Sequence, residues 1–310
     1  MSQPVYSSSD LLQNPGVFAA AQPPIRLSVF GNPVAHSRSP GMHNAALQAA
    51  GIEAQYVRIQ VEPADANQAF KALPGAGFIG TNVTIPFKAE ALAACDRVDE
   101  PARLMGSVNT VVVEGEQLIG FNTDGPGLVR AIREEFYTDL RDLRVLLLGA
   151  GGGAGRGIAV QCALEGCERL VLVNRTLEKA RELETLLRPH FSSDRLVGPA
   201  ERLQVIPWEE NALRTQLAQT DIIINATSLG MKRSDPPLLP QSLLTPNLLV
   251  YDTVYATGKS RLVEDAEAVG ARAANGLSML LHQGALSFEI WFNQKAPLEA
   301  MRAALRPSAA

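Results

Sequence analysis

Residues 143–166 read LRVLLLGAGGGAGRGIAVQCALEG, an apolar run followed by a glycine-rich turn and a helical pattern. A buried strand, a tight glycine turn and a helix in this order form a site where the first N–H groups of the helix bind a dinucleotide pyrophosphate. Gly149, Gly151 and Ala154 fit the spacing G-x-G-x-x-A, which allows the tight turn, close approach of the pyrophosphate, and close packing of helix on strand. The alternative is a purely structural glycine turn. We favour nucleotide binding, because the motif lies between a strand and a helix.

The next strand pattern, RLVLVNRTLEKA at residues 169–180, indicates which dinucleotide is bound. An NAD site usually has an Asp or Glu after this strand to bind the ribose 2′-hydroxyl, and that carboxylate repels a 2′-phosphate. Here the positions are Asn174, Arg175 and Thr176, with Lys179 one helical turn further on. Two cations, an amide and a hydroxyl suit a phosphate, so the sequence predicts NADP. The alternative is that Arg175 and Lys179 are solvated residues of a helix start.

Strand and helix patterns alternate through the remainder of the chain. From Ile25 onward, short β-branched runs alternate with Ala- and Leu-rich helical patterns, which is typical of a mostly parallel sheet. Residues 108–124, VNTVVVEGEQLIGFNTD, predict a hairpin that closes a first sheet. The glycine-rich stretch opens a second series, so we predict an α/β protein of two domains with a boundary between Asp124 and Leu143. Residues 1–24 are expected to be a flexible tail, and residues 278–292 a buried helix.

Composition excludes several classes of protein. The net charge is −4 and no basic block occurs, which argues against nucleic-acid binding. The 3 cysteines and 4 histidines lack the clustered spacing of a metal site or a disulfide framework, so we predict no metal and a reducing compartment. No signal-peptide pattern occurs, and no stretch reaches the roughly 18 apolar residues of a membrane span. We therefore expect a cytoplasmic protein with a small-molecule substrate.

Residues 31–44, GNPVAHSRSPGMHN, place two serines and an arginine before a helical pattern. The start of a helix exposes unpaired N–H groups and a partial positive charge, so Ser37 and Ser39 there suit an anion or an oxygen-rich ligand. The alternative is an ordinary serine cap with Pro40 in the first turn.

Two charged residues follow strand patterns, Lys88 after GTNVTIPF and Asp124 after GFNT. The carboxyl ends of parallel strands border the crevice in which such sheets bind ligands, so the pair suits acid–base work on a substrate oxygen. The alternative is a surface salt bridge. Thr84, Asn109 and Asn122, also at strand ends, suit a polyhydroxylated ligand or a turn.

Taken in order, nine segments resemble the shikimate dehydrogenase family. They are HSRSPGMHN (36–44), GTNVTIPFK (80–88), MGSVNT (105–110), GFNTDG (120–125), the glycine loop (149–155), NRT (174–176), NATSLGM (225–231), YDTVY (251–255) and MLLHQGA (279–285). The resemblance implies an NADPH-linked, reversible reduction of 3-dehydroshikimate to shikimate in aromatic amino-acid biosynthesis. It also implies a substrate domain at 25–125, a Rossmann-type NADP domain at 126–278 and C-terminal helices at 279–310 that return to the substrate domain, with a cleft between the domains.

The resemblance assigns roles to individual residues of this sequence. Lys88 and Asp124 match the catalytic pair. The substrate-binding positions, which include that pair, are Ser37, Ser39, Thr84, Lys88, Asn109, Asp124, Tyr255 and Gln283. The cofactor-binding positions are Gly149, Ala150, Gly151, Gly152, Gly153, Ala154, Asn174, Arg175, Thr176, Lys179, Asn225, Ala226, Thr227, Gly276 and Met279.

One departure from the family pattern and three alternative functions concern identifiable positions of the sequence. The usual loop resembles G-A-G-G-A, so GAGGGAG carries one extra glycine and shifts the pyrophosphate contacts by one position. A quinate or quinate/shikimate dehydrogenase, often NAD-linked, tends to have Thr in place of Ser39 and an acidic residue in place of Asn174. A non-catalytic NADP-binding regulator would not need Lys88 and Asp124. Methylenetetrahydrofolate dehydrogenase shares the two-domain plan but does not explain HSRSP or YDTVY. We expect a monomer or a homodimer.

Overall fold

The computed structural model describes residues 4–191, 202–255 and 259–306. The strands are β1 (Val5–Ser7), β2 (Ile25–Gly31), β3 (Gln55–Gln60), β4 (Gly80–Val83), β5 (Arg97–Val98), β6 (Thr110–Glu114), β7 (Gln117–Phe121), β8 (Arg144–Leu148), β9 (Arg169–Val173), β10 (Leu203–Ile206), β11 (Ile222–Asn225), β12 (Leu249–Asp252) and β13 (Arg272–Asn275). The α-helices are α1 (Ser8–Gln13), α2 (Gly16–Ala20), α3 (Ser39–Ala49), α4 (Ala66–Ala72), α5 (Lys88–Ala94), α6 (Glu100–Met105), α7 (Asp124–Phe136), α8 (Gly153–Glu165), α9 (Leu177–Leu187), α10 (Glu210–Leu217), α11 (Arg261–Ala268), α12 (Leu277–Phe292) and α13 (Leu298–Leu305).

The chain divides into two units. The first unit comprises Met1–Thr123 and Leu280–Ala310, and the second comprises Asp124–Met279. Each unit contains its own sheet, so each has a separate core. Among the described helices, none has the length and apolar character needed to cross a membrane.

The first unit has a seven-stranded sheet in the order β1-β3-β2-β4-β6-β7-β5. Strands β1, β3, β2 and β4 are parallel to one another, whereas β6 is antiparallel to both β4 and β7. The hairpin predicted at residues 108–124 is thereby confirmed. Because β6 is antiparallel to both of its neighbours, β4 and β7 run in the same direction, and their carboxyl ends lie at the same edge of the sheet. The loops after β4 and β7 therefore share one side of the sheet.

The N-terminal segment belongs to this sheet, and the expectation of a flexible tail is wrong for residues 5–20. β1 pairs with β3 in the register Val5↔Arg58, and Leu11 and Phe18 are buried in the core. The Ser7 hydroxyl accepts a hydrogen bond from the Asp10 backbone N–H, and the Asp10 carboxylate accepts one from the Ser7 N–H, which caps α1 at its first turn. Burial of the two large apolar side chains offsets the conformational entropy of ordering this segment.

The C-terminal helices α12 and α13 cover the other face of the first sheet. Leu281, Phe288 and Met301 lie in one buried cluster with Met42 and Leu47 of α3. The predicted burial of residues 278–292 is confirmed for the part of α12 that carries Leu281, Ala285 and Phe288, which are at most 1% exposed.

The second unit has a six-stranded, wholly parallel sheet in the order β10-β9-β8-β11-β12-β13. This is a doubly wound arrangement in which the strand order reverses between β8 and β11. Ligands of such sheets bind at the carboxyl ends of the strands beside that switch point. The glycine-rich stretch follows β8, and Asn225 ends β11, so both predicted cofactor segments lie at this position.

Candidate active site

The two candidate serines lie at the start of α3, in a loop that hydrogen bonds hold in place. The Ser37 N–H donates to the Val34 carbonyl at 3.0 Å, and the Ser39 N–H donates to Ser37 Oγ at 3.3 Å. The helix begins at Ser39, with Pro40 in its first turn. Ser37 is half-buried and Ser39 is 7% exposed. The arginine between them faces elsewhere, since the Arg38 guanidinium donates to the Leu305 carbonyl at the end of α13.

Lys88 and Asp124 each begin a helix, α5 and α7 respectively. The Val108 N–H donates to the Lys88 carbonyl at 3.0 Å. At the next residue, Asn109 Oδ1 accepts the N–H of Thr123 at 2.8 Å, and its Nδ2 donates to Thr123 Oγ1 at 3.0 Å. The backbone of Lys88 and the residue before Asp124 are therefore anchored to Val108 and Asn109, the two residues immediately before β6.

Asn109 is 2% exposed, and a buried polar network surrounds it. Asn82 Nδ2 donates to the Asn109 carbonyl at 3.2 Å, to Thr110 Oγ1 at 3.1 Å and to Ser287 Oγ at 2.9 Å. On the other side of Asn82, its Oδ1 accepts the Tyr56 hydroxyl at 2.8 Å. Buried amides of this kind are costly to leave unpaired, so the network fixes the end of the hairpin.

The remaining substrate candidates occupy neighbouring strand and helix ends or lie in the second unit. Thr84 follows β4, its N–H donates to the Phe30 carbonyl at 2.8 Å, and it packs against Gly31. Gln283 lies on α12, and its backbone carbonyl accepts Ser287 Oγ at 3.0 Å, which places it one turn from the buried network. Tyr255 lies three residues after β12 in the second unit and is half-buried.

The glycine-rich turn of the second unit requires glycine at three positions. Gly149 has a φ of +86°, and a Cβ there would meet Thr227 Cγ2 at 2.6 Å. A Cβ on Gly151 would meet Asn174 Nδ2 at 2.6 Å and Lys179 Cβ at 2.7 Å. A Cβ on Gly155 would lie 2.0 Å from the Gly149 carbonyl oxygen.

Close packing of α8 on the turn is therefore the property of Gly155, and the assignment of that role to Ala154 is wrong. Ala154 is exposed in the first turn of α8, as are Gly152 and Gly153. The extra glycine lengthens the turn by one residue, so the spacing becomes G-x-G-x-x-x-G. The first turn of α8 remains open, with Ala150 buried beneath it. Its unpaired N–H groups suit a pyrophosphate.

The candidates for the 2′-phosphate border this turn. Asn174 Oδ1 accepts the Gly151 N–H at 3.2 Å, and its Nδ2 donates to the Thr176 carbonyl at 2.7 Å. Asn174 thus braces the loop, while Arg175, Thr176 and Lys179 are exposed. The amide holds the strand end, and the two cations and the hydroxyl lie on the surface beside the glycine turn.

A buried carboxylate organises the ends of β11 and β12. Asn225 Oδ1 accepts both the N–H and the hydroxyl of Thr227 at 2.8 Å, and its Nδ2 donates to Asp252 Oδ1 at 2.9 Å. Asp252 also accepts the Val254 N–H at 3.0 Å and the Ser260 hydroxyl. Burial raises the pKa of Asp252, and these hydrogen bonds oppose that increase. Asp252 therefore shapes the Asn225–Thr227 turn, in which Ala226 is half-buried, and the approach to Tyr255.

Gly276 and Met279 flank the start of α12. A Cβ on Gly276 would lie 2.1 Å from the Thr253 carbonyl oxygen, so this position also requires close backbone approach. The Met279 N–H donates to the Tyr251 hydroxyl at 3.0 Å. Within the described ranges, no group of three or more His, Cys, Asp or Glu residues is arranged to hold a metal ion.

Known protein families and individual proteins match most of the chain. Residues 29–111 match the model of the shikimate dehydrogenase substrate binding domain, and residues 276–306 match that of the shikimate 5′-dehydrogenase C-terminal domain. Shikimate dehydrogenase (NADP(+)) from Methanopyrus kandleri is 38% identical over 281 residues, covering 90% of this chain and 94% of that protein. The chain belongs to the shikimate dehydrogenase family.

Solved structures of a shikimate dehydrogenase and of a quinate dehydrogenase are similar to this chain. The shikimate dehydrogenase from Thermus thermophilus, in complex with NADP(H) and shikimate, has a TM-score of 0.78 at 33% identity over 90% of this chain and 98% of its own. A quinate dehydrogenase from Corynebacterium glutamicum in complex with NAD has a TM-score of 0.80 at 28% identity, covering 90% of this chain and 98% of its own. Shikimate and quinate dehydrogenases thus share this fold, and the choice between them depends on individual residues.

Sequence reasoning missed several residues of this family member's site. Tyr56, Asn82 and Ser287 form the buried network beside Asn109, but they lie on β3, β4 and α12. Asp252 lies within the segment YDTVY, but sequence reasoning assigns no individual role to it. Strand-end position was a usable signal for Asn82 and Asp252. The contacts of Tyr56 and Ser287 depend on tertiary packing and had no local signal.

Proposed function

We propose that the protein is an NADP-dependent shikimate dehydrogenase that reversibly reduces 3-dehydroshikimate to shikimate in aromatic amino-acid biosynthesis. The observation that carries the proposal is the anchoring of the Lys88 backbone to Val108 and of Thr123, the residue before Asp124, to Asn109. A ketone oxygen must gain a proton as its carbon gains hydride, so a positioned acid–base pair is what this reaction needs. The proposal includes a cytoplasmic location and a monomeric or homodimeric enzyme.

Lys88 and Asp124 handle the proton at the oxygen of the reacting carbon. In the reductive direction, the Lys88 ammonium gives a proton to that oxygen, and the Asp124 carboxylate stabilises the ammonium form of the lysine. In the oxidative direction the proton returns by the same route. The other groups orient the ring: Ser37 and Ser39 bind the carboxylate, while Thr84, Asn109, Tyr255 and Gln283 contact the ring hydroxyls or the carboxylate.

The residues of the second unit fit NADP. The glycine positions at which a Cβ would collide with Thr227, Lys179 or the turn itself leave a narrow backbone cradle at the start of α8. Arg175, Thr176 and Lys179 supply the charge and hydroxyl that a 2′-phosphate requires, and the residue after β9 is the neutral Asn174. Asn225, Thr227 and Met279 line the nicotinamide side. When bound, the dinucleotide supplies or accepts the hydride.

The test is the initial rate of nicotinamide absorbance change with shikimate and with quinate, each with NADP and with NAD. The proposal requires turnover with shikimate and NADP to exceed the other three combinations. Comparable rates with quinate or with NAD would favour the broader quinate/shikimate enzyme instead. No turnover with any combination would favour a binding protein, and light scattering after size exclusion separates monomer from homodimer.

Replacement of Lys88 tests the acid–base assignment. We expect Lys88→Ala to lower kcat for shikimate oxidation by about 10²–10⁴-fold, which is the usual contribution of general acid–base catalysis. The dissociation constant of NADP should stay unchanged, because Lys88 lies outside the dinucleotide unit. The matched control is Lys71→Ala, which removes an exposed ammonium from the neighbouring helix α4. Equal kcat in the Lys88 and Lys71 variants would remove Lys88 from the mechanism.

A further inference from the structure

Two residues of strand β3, Tyr56 and Arg58, interact with the loop that carries the candidate serines. Tyr56 and Arg58 are two residues apart on β3, so their side chains leave the same face of the sheet. Arg58 Nε and Nη2 donate to the Ser37 carbonyl at 3.1 Å and 2.6 Å. Burial raises the pKa of Tyr56 well above its ordinary value, while hydrogen bonding to Ser39 and the charge of Arg58 oppose this. Arg58 therefore contacts Ser37 directly, and Tyr56, which lies beside Arg58 on the same face, interacts with Ser39.

Arg58 has no ion-pair partner in the part of the chain that the structure describes. Among the residues that the structure describes, no carboxylate lies within 4.0 Å of its guanidinium. Burial lowers the pKa of Arg58, but a guanidinium stays charged at neutral pH in proteins. Arg58 is partly buried, which weakens the screening of its charge by solvent.

The two hydroxyls at Ser37 and Ser39 can donate hydrogen bonds to a carboxylate, but they carry no charge that balances it. Arg38, which the sequence places between the serines, donates to the Leu305 carbonyl instead. Arg58 of β3 is thus a cation that lies beside the serine loop and can balance the charge of a bound carboxylate.

We propose that Arg58 is a specificity-determining residue that makes the serine pair select a carboxylate over its ester. The inference rests on the proposed function, because it takes the serine pair as the carboxylate subsite. Arg58 acts through the Ser37 carbonyl, which it holds, and through its electric field, so it is a positioning residue rather than a catalytic one. The charge of Arg58 acts only on the charged form of the substrate, whereas its hydrogen bonds to the Ser37 carbonyl affect the acid and the ester alike.

The experiment compares shikimate with its methyl ester in Arg58→Gln and Arg58→Lys. Glutamine keeps a donor for the Ser37 carbonyl but removes the charge, whereas lysine keeps the charge. We expect Arg58→Gln to lower kcat/KM for shikimate about tenfold through KM and to change kcat/KM for the ester less than twofold. Arg58→Lys should recover most of the loss. The control is Arg26→Gln on β2, since Arg26 also donates to a backbone carbonyl, that of Gly77, at 2.7 Å.

Salt provides a second readout that does not depend on ester turnover. The KM of the native enzyme for shikimate should rise with potassium chloride, and that of Arg58→Gln should rise much less, because screening acts on the charge that the variant lacks. Equal losses for acid and ester, or equal salt dependence in both proteins, would overturn the proposal. An inactive native enzyme that binds NADP would instead contradict the proposed function, so the two failures are distinct. Unchanged unfolding midpoints show that the variants fold.

Discussion

Gly155 offers the sharpest test of how the dinucleotide turn is built. The substitution Gly155→Ala adds a Cβ that would lie 2.0 Å from the Gly149 carbonyl oxygen, 2.8 Å from the Gly149 carbonyl carbon and 2.9 Å from Ala150 Cα. Cβ atoms do not approach other atoms within 3.0 Å, so α8 and the turn must separate by at least about 1 Å. All three clashing atoms belong to the backbone, so no rotamer change relieves the collision.

The cost follows from this displacement. Overpacking of a close-packed site costs about 1–3 kcal/mol, and for a domain of this size about 2 kcal/mol lowers the unfolding midpoint by about 4–8 °C. The same displacement moves the start of α8 away from Gly149, so we expect the dissociation constant of NADP to rise by about tenfold or more.

Thermal unfolding without ligand and calorimetric titration with NADP measure the two effects. The control is Gly153→Ala in the same helix, where a Cβ would meet no atom within 4 Å. Alanine is the better helix former by up to about 1 kcal/mol, so this control should unfold at the same or a slightly higher temperature. A Gly155→Ala protein with the unfolding midpoint of the control and native NADP affinity would refute the assignment of close packing to Gly155.

Two further predictions concern charge. Arg175→Glu should raise the KM for NADP at least tenfold, because a carboxylate repels the 2′-phosphate. The ratio of the KM for NAD to the KM for NADP should therefore fall. Initial rates with both dinucleotides measure these constants, and an unaltered preference between NADP and NAD would contradict the prediction. Burial lowers the pKa of His43 from 6.5 to about 3, so only the unfolded chain gains this proton between those values and stability falls as pH falls. Urea unfolding from pH 6 to pH 4 should show a slope smaller by up to about 1.4 kcal/mol per pH unit in His43→Gln than in the native protein, and equal slopes in the two proteins would contradict the prediction.

The parts of the fold that follow from local patterns could be predicted. The hairpin of β6 and β7 comes from two apolar runs around Glu114, Gly115 and Glu116, and the glycine turn comes from a strand, a turn and a helix that are contiguous in sequence. The N-terminal segment could not be predicted in this way. Its two buried residues, Leu11 and Phe18, are separated by Asn, Pro and Gly, and β1 becomes a strand only through pairing with β3, about fifty residues away.

The sequence predicts which residue types occur in the candidate site, but it does not predict which neighbours their side chains contact. The sequence places Arg38 between the two serines, yet its guanidinium reaches α13, and Arg58 from β3 contacts the serine loop instead. Likewise, the motif spacing selected Ala154, and only the path of the longer turn brings Gly155 against Gly149. Both differences arise from tertiary contacts that spacing along the chain does not encode.

The buried amides of the two units have a common role that separates them from the exposed candidates. Asn109 and Asn225 are at most 2% exposed, and each accepts a backbone N–H two or more residues further along the chain, at Thr123 and Thr227. An amide that already satisfies buried backbone groups loses those bonds if it turns toward a ligand, at a cost of about 1–3 kcal/mol for each group left unpaired. These asparagines therefore fix the strand ends, and any contact they make with a ligand uses only the hydrogen-bonding capacity that these bonds leave. We therefore predict that substrate and dinucleotide selectivity depends on the serine loop with Arg58 and on Arg175 with Lys179.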